Sequence, residues 1–474
     1  MLNKSALFFI ILNIIIPINV VLFSKPNIIL VMTDDQGWGQ TGYMNHPILK
    51  TPNLDAMSKN GLTFERFYAG GPVCSPTRAT VLTGRTHDRT GVFDHGYALR
   101  LQEKTLSQAL KNAGYATAHF GKWHLNGLRG PGVPLDKDYP NGPHHFGFDH
   151  WVSTTNFFDL NPILSRNGKF EEFKGDSSEI VVQEALSFIS GQAKMQKPFF
   201  CVIWYGTPHS PFMSLKNDQD DFQELDENSK HHYSELKAMD RSIGTLRNGL
   251  SKLSVKENTL LWFMSDNGGL PKIHPPTNGG LRDHKGSLYE GGIRVPSIIE
   301  WPYGITTPRR TDYPCGAVDI FPTLSEIIKL PENSSLKPQD GESLVDLFKN
   351  EKPNRIKPLI FSSRKRMAII DNEWKLISLP TKNGNNYELY NLKKDNAEKQ
   401  NLIDENTQIF DYLNKYLTDA RHSIDKSVNG HDYPENKVNQ QPPRTFWTEI
   451  NSYKKHFKKW KSRPEYNPGL NQNE

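Results

Sequence analysis

Cys74 and Arg78, four residues apart, form the stretch of this chain best suited to chemistry. Pro76 lies between them, where proline suits the first turn of a helix, and the following apolar run ends at Gly84, a typical helix stop. Cys74 is therefore predicted at a helix N-terminus, where N–H groups and the helix dipole favour an anion. Arg78 adds a forked cation that fits a tetrahedral oxyanion. Taken alone, the pattern is also typical of a buried cysteine before a surface helix.

Further polar clusters follow predicted strands. Open α/β sheets bind ligands at the carboxyl ends of their strands, so joint placement at one edge predicts an active site. Each cluster alone is also typical of a turn or a surface loop. The clusters are Asp34 with Asp35, Lys122 with His124, His209, and Asp266 with Asn267, and Lys285 follows in a later loop.

The elements that must position these residues alternate along the chain. Continuous apolar runs predict strands buried on both faces, at about 26–32, 115–120, 198–205, 259–264 and 295–301. Amphipathic stretches with cap signals predict helices between them. The fold class is therefore α/β, with a large, mostly parallel sheet sandwiched by helices. Residues 126–175 are predicted as long loops over the active face.

A polar, proline-containing stretch at 349–357 predicts a domain boundary. Short strands and one amphipathic helix at 407–420 then predict a small α+β subdomain with an antiparallel sheet. The aromatic residues of the tail recur at helical spacing, which predicts a terminal helix packed on the main domain, with contact between its lysines and a polyanionic glycan as the alternative. The predicted units are 1–24, 25–350, 351–426 and 427–474.

The composition, 36% hydrophobic and 23% charged over 474 residues, is that of a globular protein. The net charge of +5 is modest, and no nucleic-acid-binding motif is present. The three cysteines exclude a disulfide-built fold; Cys201 is predicted as a buried thiol, and its pairing with Cys315 is left open. Residues 1–24 form a predicted signal peptide for a periplasmic or secreted protein without stable membrane insertion, with an uncleaved anchor as the alternative.

The motifs together resemble those of the type I, formylglycine-dependent sulfatases of the alkaline phosphatase superfamily. Within that family the chain is most similar to bacterial polysaccharide sulfatases and to N-acetylgalactosamine-6-sulfatase-like members. Thr77 stands where many members have Ser. The motifs, in the order of the family, are Asp34-Asp35-Gln36-Gly37-Trp38, Cys74-x-Pro-x-Arg78, Gly121-Lys122-Trp123-His124, Thr207-Pro208-His209, Asp266-Asn267-Gly268-Gly269 and Lys285-Gly-Ser-Leu-Tyr-Glu-Gly-Gly.

The resemblance implies an alkaline-phosphatase-like fold of residues 25–350 as a catalytic domain, with Cys74 oxidised to formylglycine by a formylglycine-generating or anaerobic sulfatase-maturating enzyme. Ser153 is expected to help hold the sulfate. The metal ligands that the resemblance implies are Asp34, Asp35, Cys74, Asp266 and Asn267. The catalytic residues that it implies are Cys74, Arg78, Lys122, His124, His209 and Lys285.

The residue types agree with that chemistry. Carboxylate, amide and hydrate oxygens form a hard site that suits one Ca²⁺ ion. Arg78, Lys122 and Lys285 would offset the charge on the sulfuryl group in the transition state. His209 or Lys285 would protonate the leaving alcohol, and His124 would take a proton from the hydrate so that the aldehyde re-forms as sulfate leaves.

The predicted function is a secreted sulfatase that acts on a sulfated carbohydrate, expected to be exo-acting on oligosaccharides from ulvan, carrageenan or a glycosaminoglycan. Trp151, Phe157 and Phe158 are expected to line an aromatic sugar pocket. The alternative is a phosphate or phosphonate monoester hydrolase, but Lys122, His124 and Lys285 together favour sulfate. A catalytically inactive glycan-binding protein would lack a key group, and none is missing.

Overall fold

The computed structural model describes residues 25–470, and the predicted signal peptide over 1–24 lies outside them. The strands are β1 (Asn27–Thr33), β2 (Leu62–Tyr68), β3 (Ala116–Lys122), β4 (Leu128–Arg129), β5 (His150–Thr154), β6 (Ile163–Arg166), β7 (Lys169–Glu172), β8 (Phe199–Trp204), β9 (Thr259–Ser265), β10 (Arg294–Glu300), β11 (Arg309–Thr311), β12 (Cys315–Gly316), β13 (Leu359–Ser363), β14 (Arg366–Asp371), β15 (Trp374–Thr381), β16 (Gly384–Asn391) and β17 (Thr445–Phe446). The α-helices are α1 (Pro52–Asn60), α2 (Cys74–Thr83), α3 (Leu106–Asn112), α4 (Ser177–Lys194), α5 (Glu227–Lys252), α6 (Glu290–Ile293), α7 (Ile320–Ile328), α8 (Thr407–Val428), α9 (Asn451–Lys454), α10 (Phe457–Trp460) and α11 (Asn467–Leu470).

Within the described residues, the main sheet has eleven strands in the order β11-β2-β10-β9-β1-β8-β3-β5-β6-β7, with β12 beside β2. The central strands β9, β1, β8, β3 and β5 run parallel to one another. Strand β10 is antiparallel to β9 and β2, and β6 and β7 are antiparallel as well. The predicted fold class is confirmed.

Strand β1 shows why its apolar run forms a central strand. Ile28 and Leu30 point to one face of the sheet, where the core includes residues of α2 and α3. Ile29 and Val31 point to the opposite face, against residues of α4 and α5. A strand that is buried on both faces needs apolar residues at every position, because its side chains alternate between the faces.

The segment 126–175 corrects the sequence-based prediction of long loops. It contributes β4 to β7, and β5 to β7 extend the main sheet beyond β3. Trp151 and Phe158, expected to line a sugar pocket, are instead buried in the two cores on either side of the sheet. The strands are short and rich in polar residues, so local periodicity did not reveal them.

The second sheet has the order β13-β14-β15-β16, and all its pairs are antiparallel, as predicted. One face packs against α8, with Ile369 and Leu376 against Leu413 and Leu417. The tail differs from the prediction of one terminal helix, since it is broken into α9, α10 and α11. Its aromatic side chains nevertheless pack inward, and Trp447 and Trp460 join a cluster with Leu128 of β4.

The three cysteines of the chain are all buried, and none of them forms a disulfide in the described structure. Cys201 lies within β8, as the apolar pattern predicted. Of the helices in residues 25–470, none has both the length and the apolar character needed to cross a membrane.

Candidate active site

The carboxyl ends of four adjacent strands bring the predicted polar clusters together. Strands β9, β1, β8 and β3 are neighbours in that order. Asp34 and Asp35 follow β1, Asp266 follows β9, His209 lies beyond β8, and Lys122 ends β3. The backbone N–H of Asp34 donates to the carbonyl of Thr207, and that of Asp266 donates to the carbonyl of Thr33, both at 3.0 Å. These bonds continue the sheet into the loops and hold the clusters in register.

Cys74 is the first residue of α2 and is almost fully buried. Its Sγ lies 3.4 Å from Oδ1 of Asp34, and burial raises the pKa of the thiol. The next residue anchors this end of the helix, because Oγ of Ser75 donates to the carbonyl of His124 at 2.7 Å. At the other end, Gly84 adopts the left-handed conformation and donates to the carbonyl of Thr80, as predicted for a glycine helix stop.

Each carboxylate of the site faces a cation. Nζ of Lys122 lies 2.5 Å from Oδ2 of Asp34, and Nζ of Lys285 lies 2.6 Å from Oδ1 of Asp35. A guanidinium nitrogen of Arg78 donates to Oδ2 of Asp266 at 2.7 Å. The three carboxylate side chains are fully buried, so each charge depends on these partners for stabilisation.

The carboxylates differ in how readily they ionise. Burial alone would raise the pKa of Asp34, but Lys122 and then His209 and Arg78 hold it well below its usual range. Burial and next the neighbouring Asp34 raise the pKa of Asp266 to about 7, against the opposing charge of Arg78. A metal ion that entered the pocket would therefore meet Asp34 in its ionised form.

The two histidines, His124 and His209, are both neutral, so each has a ring nitrogen that can accept a proton. Burial, followed by Lys122 and Arg78, lowers the pKa of His124, whose two ring nitrogens are buried without a hydrogen-bond partner in the described structure. Burial and then Lys285 lower the pKa of His209 to about 4. The ring of His209 also stacks on Phe157, with centroids 4.4 Å apart. Both imidazoles are therefore neutral at pH 7.

The donor set fits a metal ion. Ligand atoms of Asp34, Asp35, Cys74 and His209 lie within 4.8 Å of one another. Asn267 donates through Nδ2 to Oδ1 of Asp35 at 2.7 Å, and its own Oδ1 is buried without a hydrogen-bond partner. A buried amide oxygen beside carboxylates is a ligand that a hard cation would satisfy.

Ser153 is not brought into this cluster. It lies within β5, where its Oγ donates to the backbone carbonyl of His119 at 3.1 Å and contacts the Nδ1 of the same residue at 2.8 Å. Its hydroxyl is therefore fully occupied between two strands, and it does not line the cavity that holds Cys74. The other predicted site residues meet at the strand ends.

Comparison with known proteins agrees with this geometry. A family model described as sulfatase matches residues 26–330, and one described as N-sulphoglucosamine sulphohydrolase, C-terminal, matches residues 280–423. The chain belongs to the sulfatase family. Sulfatases of this family typically use a formylglycine and a metal ion, and the cluster around Cys74 is the candidate for both.

The N-acetylgalactosamine-6-sulfatase of Canis lupus familiaris is 32% identical to this chain over 332 residues, which cover 63% of the chain and 61% of the relative. The ulvan-active sulfatase of Formosa agariphila is 30% identical over 357 residues, which cover 70% and 66%. The chain thus spans less than two thirds of the length of these curated relatives. The crystal structure of Ps i-CgsB in complex with k-i-k-neocarrahexaose has a TM-score of 0.75 and 25% identity and covers 94% of this chain and 100% of that one.

A cavity of about 300 Å³ opens above Cys74 in this member of the family. Sequence reasoning identified some of its lining, Phe157 among them, but missed His95, Arg129 and Phe446. Phe446 belongs to β17, which pairs in parallel with β4, so the tail reaches the mouth of the site. No local sequence pattern points to this contact, because it depends on the pairing of two-residue strands far apart in the chain.

Proposed function

We propose that this protein hydrolyses sulfate esters of a carbohydrate, with Cys74 converted to formylglycine by a maturating enzyme. The observation that carries the proposal is the position of Cys74, beside Asp34 and below a cavity that also holds His124, His209 and Lys285. The oxidised side chain would supply a hydrated aldehyde as the nucleophile, a role for which a thiol with a raised pKa is poorly suited.

Asp34, Asp35, Asp266 and Asn267 would hold one Ca²⁺ ion, together with the oxidised side chain of residue 74. The unpaired amide oxygen of Asn267 and the low pKa of Asp34 support this assignment. When bound, the ion would supply a positive charge that orients oxygen ligands and lowers the pKa of a hydroxyl group.

The cationic side chains would bind the sulfuryl group. Lys122 pairs with Asp34 and Lys285 pairs with Asp35, and Lys285 also lines the cavity that holds Cys74. Arg78 is held in place by its hydrogen bonds to Asp266 and to the carbonyl of Lys122. Charges held in this way need no rearrangement as negative charge develops on the sulfate oxygens.

The histidines would move protons. A neutral His124, with both ring nitrogens unpaired, would accept a proton from the hydroxyl of residue 74. His209 lines the cavity with Nε2 3.7 Å from Oδ2 of Asp35, and either His209 or Lys285 would protonate the leaving alcohol. The aromatic ring of Phe157 fixes the plane of His209 for that transfer.

We extend the proposal to an exo-acting enzyme on a polysaccharide fragment such as one from ulvan, carrageenan or a glycosaminoglycan, exported to the periplasm or the medium. Support comes from the confined cavity of about 300 Å³, which suits the end of a chain, and from the apolar leader at residues 1–24. N-terminal sequencing of protein recovered from the periplasm and medium checks the export.

The decisive experiment is sulfate release from a panel of sulfated oligosaccharides, measured by ion chromatography on protein co-expressed with a maturating enzyme. Mass spectrometry of the peptide around residue 74 reports the conversion. We expect release by the converted protein and none by Cys74→Ala, with equal thermal stability of the two. Faster turnover of 4-nitrophenyl phosphate or of a phosphonate monoester than of 4-nitrophenyl sulfate, or full activity with an unconverted thiol, would overturn the proposal.

A further inference from the structure

Arg129 lies on the wall of the cavity that holds Cys74 and is not engaged by any acid. Its guanidinium carbon lies 4.6 Å from the centroid of the Phe446 ring, a cation–π contact. Among the residues that the structure describes, no carboxylate is within ion-pair distance of it. A guanidinium at the mouth of an active-site cavity is thus available to a ligand.

A second arginine supports the charge of this wall. Arg444 donates from a guanidinium nitrogen to Nε2 of His95 at 3.0 Å, and His95 contacts Oδ1 of Asp94 through Nδ1, also at 3.0 Å. Because arginine only donates, Nε2 of His95 is the acceptor in this contact, and Nδ1 is left to face Asp94. Burial, followed by the nearby Arg129, lowers the pKa of Arg444, so the two guanidinium groups interact.

The acidic residue of this region, Asp94, already has charged and hydrogen-bonding partners. Asp94 pairs with His95 and also lies 3.8 Å from Arg364. It therefore does not neutralise Arg129, and the wall that faces the cavity keeps a net positive charge. The Nε of Arg444 is also buried without a hydrogen-bond partner in the described structure, so no acceptor offsets its charge at that atom.

The wall combines Arg129, which lies within the region matched by the sulfatase model, with tail residues that the family models leave out. The matches end at residue 423, whereas Arg444 and Phe446 lie beyond it. Phe446 pairs with Arg129 in register across the β17–β4 ladder, so the tail itself positions the guanidinium. Residues from both parts of the chain thus meet at the cavity, where they contact what enters it.

We infer that Arg129 binds a second anionic group, a carboxylate or a further sulfate ester, on the same carbohydrate whose sulfate ester lies at Cys74. This inference rests on the proposed sulfatase function. The planar fork of arginine matches two oxygens of either group, and the ring of Phe446 holds the fork in place without neutralising it. The preferred substrate class is therefore an oligosaccharide with two anionic groups on the same or on adjoining sugars.

The test compares two matched substrate pairs. The members of the first pair are sulfated disaccharides that carry either a uronate carboxylate or the corresponding reduced alcohol. The members of the second pair are disaccharides that carry either two sulfate esters or one. We expect the wild-type kcat/KM to favour the dianionic member of one pair by about tenfold or more, mainly through KM. In Arg129→Gln the ratio is expected to fall to near one, and in Phe446→Leu to an intermediate value. The pair that responds identifies the group.

Arg310→Gln is the matched control, because it removes the same charge from an exposed position that pairs with Glu65 outside the cavity. Its substrate ratio is expected to stay within about twofold of the wild-type ratio, as for a screened surface charge. Equal rates on both members of both pairs, an unchanged ratio in Arg129→Gln, or an equal loss in Arg310→Gln would overturn the inference and leave the sulfatase function intact. Absence of sulfate release from every substrate, including 4-nitrophenyl sulfate, would instead overturn the proposed function.

Discussion

Arg78 donates a hydrogen bond of 2.7 Å to Oδ2 of Asp266, and both side chains are fully buried. The same guanidinium donates to the backbone carbonyl of Lys122 at 3.0 Å and lies 5.1 Å from the ring centroid of Trp204. One side chain from α2 thus joins the ends of β9, β3 and β8. A lysine at this position would keep the charge but would lack the fork needed for both bonds.

We therefore expect Arg78→Lys to lower kcat/KM for 4-nitrophenyl sulfate by about 10²–10³-fold, the range typical for loss of one preorganised donor. Steady-state kinetics on the converted protein measures this effect, and thermal unfolding reports its stability. Arg166→Lys is a suitable control, because Arg166 forms a partly exposed pair with Glu171 and Glu184. Activity of Arg78→Lys within about threefold of the wild type would contradict the two-bond role.

Removal of the amide oxygen of Asn267 tests the metal site. We expect Asn267→Ala to weaken Ca²⁺ binding, measured by calorimetric titration of the chelator-treated protein, by at least about tenfold, or 1.4 kcal/mol. The reason is that the Oδ1 of Asn267 is buried and unpaired among carboxylates. The exposed Asn333→Ala serves as the control. Equal affinity of Asn267→Ala and the wild type would remove this residue from the ligand set.

The N-cap of α4 predicts a pH-dependent stability. Burial raises the pKa of Asp176 from 3.8 to about 6, although its Oδ1 accepts from the N–H groups of Ser178 and Glu179. The folded state therefore binds a proton more tightly than the unfolded state, and this carboxyl lowers the free energy of unfolding as the pH rises from about 4 to about 6.

Asp176→Asn keeps a capping oxygen without the charge. We expect it to raise the free energy of unfolding at pH 7 by about 1–3 kcal/mol, and the difference should shrink towards pH 4. Denaturant titrations across this range measure it. Asp226→Asn is the matched control of opposite sign, since the bonds from Ser229 to Asp226 lower the pKa of that exposed cap. A loss of stability at pH 7 in Asp176→Asn would show that the cap needs the charge.

The glycine that ends α2 predicts a cost for an added methyl group. Gly84 has φ 67°, and a Cβ there would lie 2.4 Å from Oε1 of Gln339 and 2.7 Å from Cβ of Phe321. We expect Gly84→Ala to destabilise the protein by about 2–4 kcal/mol, from strain and overlap together.

Gly114→Ala separates these two causes. Gly114 has φ 93°, but a Cβ there would meet no atom within 4 Å. The substitution is therefore expected to cost only about 1–2 kcal/mol, from backbone strain alone. Denaturant unfolding of both variants gives the comparison, and equal costs would mean that the overlap at Gly84 is relieved by movement of its neighbours.

The sequence by itself determined which residues carry the chemistry, their order along the chain and the local structure that holds them. The apolar runs of β1, β8 and β9 specify buried strands because every side chain meets a core. The glycine stop at Gly84 is a local signal and forms as predicted, and α3 begins at a capping box of Thr105 and Gln108, which is a local signal as well. Parallel strands then bring their carboxyl ends to one edge, which is why the polar clusters could be assembled from the sequence.

Only the tertiary structure decided what surrounds that edge. Strands β5 to β7 form because they pair with β3 and with one another, not because their own residues demand it. Ser153 hydrogen-bonds to the neighbouring strand, Trp151 is buried in the core, and Phe446 of the tail packs against Arg129. Such contacts depend on long-range pairing and on competition for buried surface, and no local pattern records either of them.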